Sequence, residues 1–111
     1  MVRFTLDPGR LNRQLTLEAP DQTADGAGGL SPSFAAAGAL FAAVDPIGPA
    51  ERDNSGFAVT GRLFRVTLRW RAGITLAHRF RLGPRVLAIE SLADPDETGR
   101  FLIAICREEA P

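Results

Sequence analysis

Lysine and tyrosine are missing from this 111-residue chain, cysteine and histidine occur once each, and the formal net charge is zero. Each shortage removes a class of function. A lone Cys106 leaves no internal disulfide, and with His78 as the lone imidazole there is no pair of soft ligands for a zinc centre. Both read as packing residues, and neither a cofactor nor a metal is expected. Thirteen basic residues balance thirteen acidic ones, so no net field concentrates nucleic acid or anionic lipid around the protein. A free-standing DNA-coating role starts at a disadvantage. The N-terminus has no apolar signal core, and no run approaches the roughly 18 apolar residues of a membrane span, so synthesis and use in the cytoplasm are expected.

All thirteen basic residues are arginine, whose planar guanidinium suits bidentate pairing with carboxylates and phosphates at interfaces. The length fits one domain over residues 1–111. A chain this size buries roughly two thirds of the surface its unfolded form exposes, a modest surplus over the entropy of ordering, and neighbouring subunits could add to it.

Residues Met1 to Arg10, with the Pro8-Gly9 turn signal, form a lead-in segment. Leu11, Leu15 and Leu17 then fall on one side of a period-2 repeat and Asn12, Gln14, Thr16 and Glu18 on the other, which predicts a half-buried strand. Pro20, Asp25-Gly26, Gly28-Gly29 and Pro32 make Ala19 to Ser33 a loop. The run Phe34 to Val44 is alanine-rich, but Gly38 and the alternation of Leu40, Ala42 and Val44 favour a strand over Ala39 to Val44. Phe64, Val66, Leu68 and Trp70 alternate with Arg65, Thr67, Arg69 and Arg71, predicting a strand with one apolar and one cationic face that ends at Ala72-Gly73. His78, Phe80 and Leu82 alternate with Arg79 and Arg81, and Gly83-Pro84 supplies a turn. Arg85 to Leu92 and Phe101 to Cys106, separated by Asp94-Pro95-Asp96 and Thr98-Gly99, read as a hairpin. The sum is an all-β chain: a small antiparallel barrel or sandwich of five to six short strands with two long loops.

Catalytic chemistry finds little purchase. His78 has no orienting partner in a local motif, and its structural reading outweighs that of a general base. Asp94, Asp96 and Glu97 form the densest acidic cluster, but Asp-Pro-Asp-Glu is turn chemistry without the ligand spacing of a calcium loop. Gly26, Gly28 and Gly29 are followed by no Lys and Ser/Thr as in a phosphate-binding loop. Arg65, Arg69 and Arg71 are candidates for subunit contact, with nucleic acid as the competing reading. The remaining anomaly is the loop from Asp45 to Arg62, longer than the roughly 12 to 15 residues beyond which structureless loops are uncommon unless functional or disordered. Phe57 and Val59 within it could meet a partner or fold back on the barrel.

In their order these features resemble the phage head-tail joining proteins, a family of small β-barrel adaptors, stoppers and head completion proteins that also occurs in gene transfer agents. The resemblance runs through Leu11-Asn12-Arg13-Gln14-Leu15-Thr16-Leu17, Asp25 with Gly28-Gly29, and Leu40-Phe41-Ala42-Ala43-Val44 with Pro46. It continues at Glu51 or Arg52, Arg65-Val66-Thr67-Leu68-Arg69-Trp70-Arg71-Ala72-Gly73-Ile74, Gly83-Pro84-Arg85-Val86-Leu87-Ala88-Ile89-Glu90-Ser91, and Leu102 to Cys106 ending in Arg107-Glu108-Glu109. Departures are Leu63-Phe64, where many members have a polar residue and a His, Trp70 for a common Tyr, and a Pro49 to Thr60 segment without the helix-like stretch of some members.

The resemblance implies a structural, non-enzymatic subunit of a ring, commonly of twelve copies. That ring would lie between a portal or adaptor protein on the head side and a tail terminator on the tail side, in the neck of the particle, with packaged DNA passing non-specifically through its channel. The loop from Asp45 to Arg62 would then seal or gate the channel. Asp45, Asn54 and Phe57 belong to that channel and partner loop, and Glu51, Arg52 and Asp53 are expected near its tip. The alternative is a small β-barrel nucleic-acid-binding protein.

Overall fold

The computed structural model describes residues 4–21, 33–47 and 62–109. A 3-10 turn, Pro8–Arg10, precedes six strands: β1 Arg13–Asp21, β2 Ser33–Pro46, β3 Leu63–Arg69, β4 Arg79–Leu82, β5 Arg85–Ala93 and β6 Phe101–Glu108. Neighbouring strands are antiparallel, and the sheet closes on itself in the order β1-β2-β3-β6-β5-β4. This is the all-β barrel that the alternation predicts.

The inward side of each strand supplies the core: Leu15 and Leu17 from β1, Phe64, Val66 and Leu68 from β3, Leu87 and Ile89 from β5. Register locks these residues into rungs, with Val66 between Val44 and Ala104, and Leu68 between Ala42 and Leu102. A slip of one residue would turn each apolar set toward solvent, so burial fixes the register. Cys106, opposite Phe64, is one of these core residues, and burial first, then the Glu90 charge, pushes its thiol up to about 12. It packs as a small hydrophobe.

Several boundaries differ from the sequence expectation. Ala19 to Asp21 continue β1 and Ser33 begins β2, so the loop expected over Ala19 to Ser33 yields both its ends to a hairpin. Pro20 pairs with Phe34 in that hairpin; β1 pairs with β4 only over Thr16 to Glu18, so Pro20 lies where no second neighbour requires an N–H. β2 runs fourteen residues rather than the six of Ala39 to Val44, and it takes Asp45 and Pro46 from the second expected loop. β3 stops at Arg69, before Trp70 and Arg71.

The extra length of β2 makes a bent arm. It pairs with β1 from Ser33 to Ala42 but with β3 only from Ala42 onward, so the β1–β2 hairpin continues beyond the end of β3. The bend is a bulge between Leu17 and Glu18 opposite Gly38, whose φ of 141° strongly favours glycine. The space a Cβ would take there holds Arg71, whose Nη2 would lie 2.6 Å from it and donates a long 3.4 Å bond to the Ala37 carbonyl.

The barrel closes along the short β1–β4 seam, Thr16–Arg81, Leu17–Phe80 and Glu18–Arg79. Glu18 is only 8% exposed, and its two carboxylate oxygens accept from Arg79 Nε at 2.7 Å and Arg81 Nε at 3.0 Å. Arg79 also stacks on Phe34 of the arm, 3.8 Å from the ring centre. Burial opposes ionisation of Glu18, but hydrogen bonds and charge from the two arginines outweigh it and hold the carboxyl below its ordinary 4.5.

Two stability outcomes follow. Glu18→Ala leaves Arg81 without a carboxylate partner and Arg79 with only Glu109 at 3.8 Å, and should cost about 3 kcal/mol, seen as a lower urea midpoint at unchanged slope. Gly38→Ala forces a β-carbon into a strained φ and against Arg71, and should cost about 1–3 kcal/mol in the same titration.

Candidate functional site

The imidazole and thiol that could carry chemistry are occupied in structure. His78 closes the turn before β4: its Nδ1 accepts from the Thr75 amide at 3.1 Å and lies 3.0 Å from the Thr75 hydroxyl. Cys106 is sealed in the core. Among the described residues no group of three or more His, Cys, Asp or Glu is placed to hold a metal ion.

The acidic cluster between β5 and β6 organises its own turn and something more distant. Asp94 accepts from the amides of Asp96 and Gly99, while Asp96, 4% exposed, accepts from the Thr98 hydroxyl at 2.6 Å and Arg100 at 2.7 Å. Asp96 also accepts the Phe4 amide at 3.1 Å, and Arg100 donates to the Phe4 carbonyl at 2.9 Å. The lead-in segment is thereby strapped to the barrel. Phe4 packs edge-on against Phe101, whose register with Arg69 puts it on the outer face of β6, and Arg10 pairs with Asp45 at 2.7 Å. The strap therefore crosses β6, β3 and β2, which accounts for buried Thr67 and Ala43 on the outer face. Hydrogen bonding from Thr98 leads the stabilisation of the Asp96 carboxylate against the cost of burial, Arg100 and the amides adding to it, and the group titrates far below its ordinary 3.8.

Most described carboxylates are matched to arginines of the same chain. Arg85 grips Glu108 in a two-bond fork at 2.8 and 3.2 Å, and Arg107 reaches Glu90 at 2.6 Å. Arg13, Arg65 and Arg69 are exposed and make no side-chain hydrogen bond or ion pair among the described residues. Arg65 and Arg69 share the outer face of β3, as the alternation requires. Arg71, expected beside them, lies past the strand end and turns back to Ala37, because the chain leaves the sheet after Arg69. Trp70, expected on the apolar face, is 49% exposed for the same reason.

Where β2 diverges from β3 after the Ala42–Leu68 pair, a cleft of about 500 Å³ opens. Leu40 and Phe41 line one wall, Arg69, Trp70 and Arg71 the other, and Pro8 and Leu11 of the strap close one side. Phe41 is 57% exposed. The sequence reading missed it, although an aromatic on the outward parity of a strand that buries Ala42 was a visible signal. Of the expected loop residues, Asp45 sits at the end of β2 paired with Arg10, while Glu51, Arg52, Asp53, Asn54 and Phe57 lie outside the described residues. The strand ends flanking them are joined by a bond from the Ile47 amide to the Leu63 carbonyl at 3.1 Å.

A closed barrel whose described cations point outward and whose ionisable clusters are consumed by turns and seams is a scaffold for docking. The chain belongs to the phage head completion protein family, whose model matches residues 6–109. It is similar to a chain from the virion of a native gene transfer agent particle, at 31% identity and a TM-score of 0.72, over 89% of this chain and 94% of that one. It is also similar to a Shigella flexneri 2a protein whose structure was determined in solution, at 30% identity and a TM-score of 0.68, over 95% and 98% of the two chains. No curated protein matches it. The role is structural, in head-tail joining, and a free-standing nucleic-acid-binding barrel is not favoured.

The acid response tests the strap. The folded-state titration of Asp96, Glu18 and Glu108 is depressed, so their contribution is present above their ordinary values of 3.8 and 4.5 and is lost as pH falls through the lowered ones. Thermal melting should be nearly flat from about pH 7 to about pH 5 and fall below about pH 4. Asp96→Asn should lower the neutral-pH midpoint and flatten that acid slope.

Proposed function

We propose that this chain forms a ring at the DNA exit of a phage or phage-like head, between the portal or adaptor protein and the tail, where it seals or gates the channel. The family match over residues 6–109 carries the reading. Three structural features support it. Internal ion pairs close the barrel and hold its strap, leaving exposed Arg13, Arg65 and Arg69 for neighbours. The flanks of the Asp45 to Arg62 loop are drawn together by the Ile47–Leu63 bond, so an excursion of the intervening residues would start from a fixed base. That base lies at the start of β3, and the Phe41–Trp70 cleft lies beyond its other end, giving the barrel one end for the channel loop and another for docking.

In this reading Glu51, Arg52, Asp53, Asn54 and Phe57 face the channel or the next subunit, and Arg65, Arg69 and Arg71 belong to contacts between chains. The chain is a single barrel domain with no catalytic role, assembled in the cytoplasm and then held in the neck.

Particles made without the chain should accumulate filled or leaking heads that lack tails; tailed particles of normal appearance would contradict the assignment. Particles carrying a deletion of residues 53–56 should attach tails yet retain packaged DNA poorly, measured by nuclease sensitivity. Wild-type DNA retention would remove the gating role and leave the joining role intact.

A further inference from the structure

Among the described residues, nothing fills the Phe41–Trp70 cleft, and both aromatic side chains stand exposed at it. Three of the four large apolar side chains that stand exposed among the described residues, Phe41, Trp70 and Leu76, belong to this cleft or to the β3–β4 connection that begins at its rim. Trp70 is also a ridge between two hollows, because its other side opens on a second cleft of about 300 Å³ that includes Ile74, Leu92 and Leu102. An exposed aromatic pair above a preformed hollow, with arginine at the rim, is the composition of binding hot spots. Charge gives the occupant its sign. Both ionisable groups in the Phe41–Trp70 lining are arginines, and of these Arg71 is engaged by Ala37 while Arg69 makes no bond among the described residues.

We propose that this cleft receives a segment of a different structural protein of the particle, one that carries an apolar or aromatic side chain next to a carboxylate. The apolar group fills the space between Phe41 and Trp70, and the carboxylate pairs with Arg69. The inference rests on the head-tail reading and names the surface through which a neighbouring protein is held.

A second copy of this chain fits less well. Among the described residues, Glu18, Asp45, Glu90, Asp96 and Glu108 are each committed to arginines of their own chain, and Glu109 lies 3.8 Å from Arg79. Exposed Glu97 has no bond among the described residues, but it lies in the β5–β6 turn, whose Asp94 shares the second hollow with Trp70. Two copies joined through Glu97 and the cleft would meet face to face, a two-fold contact that closes as a dimer instead of continuing round a ring. Nucleic acid fits less well again, since the lining is mostly apolar and the net charge is zero.

The test adds purified chain to particles produced without it and counts incorporated copies per head by quantitative mass spectrometry. Self-association of the free chain and its binding to oligothymidine are measured in parallel. Arg69→Glu and Phe41→Ser should each lower incorporation roughly tenfold or more, with melting and self-association as in the wild type and Arg69→Lys largely restored. In wild-type particles Trp70, the chain's sole tryptophan, should be shielded from hydroxyl-radical oxidation, and it should not be shielded in the free, self-associated chain. This readout holds even if a variant misfolds.

Incorporation within about twofold of wild type for both variants, or an unshielded Trp70 in particles, would overturn the proposal while leaving the head-tail assignment standing. Parallel loss of self-association would transfer the cleft to a second copy, and parallel loss of oligothymidine binding would transfer it to nucleic acid; either result overturns it. Failure of the wild-type chain to enter particles at all would overturn both readings.

Discussion

The carboxylate of Glu18, held between Arg79 and Arg81, is the interaction on which the rest of the barrel depends. A six-stranded sheet that did not close would expose two strand edges, each a row of unpaired amides and carbonyls open to another chain. The seam that prevents this is also the shortest ladder among the described strands, covering Thr16 to Glu18 of β1. Backbone bonding over so short a span is a weak clamp. The Glu18 fork adds charge-assisted bonds across it, and the stacking of Arg79 on Phe34 joins the same cluster to the β1–β2 arm. Closure and arm position are therefore one electrostatic problem with one solution.

Closure in turn separates the two ends of the molecule. At the start of β3 the ends of β2 and β3 are pinned by the Ile47–Leu63 bond and steadied by the Arg10–Asp45 pair. At its other end β2 bends away at the Gly38 bulge, and the gap left behind becomes the Phe41–Trp70 cleft. The strap from Phe4 to Leu11 spans both regions, because Asp96 holds its beginning near the end of β3 and Asp45 holds Arg10 near the start. A part that joins two bodies needs two distinct faces held at fixed separation, and a closed barrel with an external strap supplies that rigidity.

Strand number, order of elements and the β5–β6 hairpin were legible because period-2 alternation is a local signal. Phe64, Val66 and Leu68 announce their burial without reference to any partner. The misreadings arose where a distant partner decides. Pro20 looked like a loop marker because nothing local shows that β1 has no second neighbour there. Trp70 continued the alternation by one residue past the point where the sheet ends. Arg79 and Arg81 were visible as outward arginines, but their common partner Glu18 is 61 and 63 positions away. The lead-in segment showed its Pro8-Gly9 turn and nothing of the strap, since a short aperiodic stretch carries no face to read. The acidic cluster was correctly read as a turn, yet its hold on Phe4 joins residues 92 positions apart.

The central claim is that the barrel works as a two-ended joint, with its long loop toward the DNA path and its Phe41–Trp70 cleft against a neighbouring protein. Electron microscopy of the neck of the native particle, at a resolution that places side chains, tests this most directly. The account predicts copies of the barrel arranged in a ring at the head's DNA exit, the Asp45 to Arg62 segments turned to the axis, and Phe41 and Trp70 buried by a different chain. Barrels located in the shell or at the tail tip, or a ring whose Phe41–Trp70 cleft faces solvent, would contradict it.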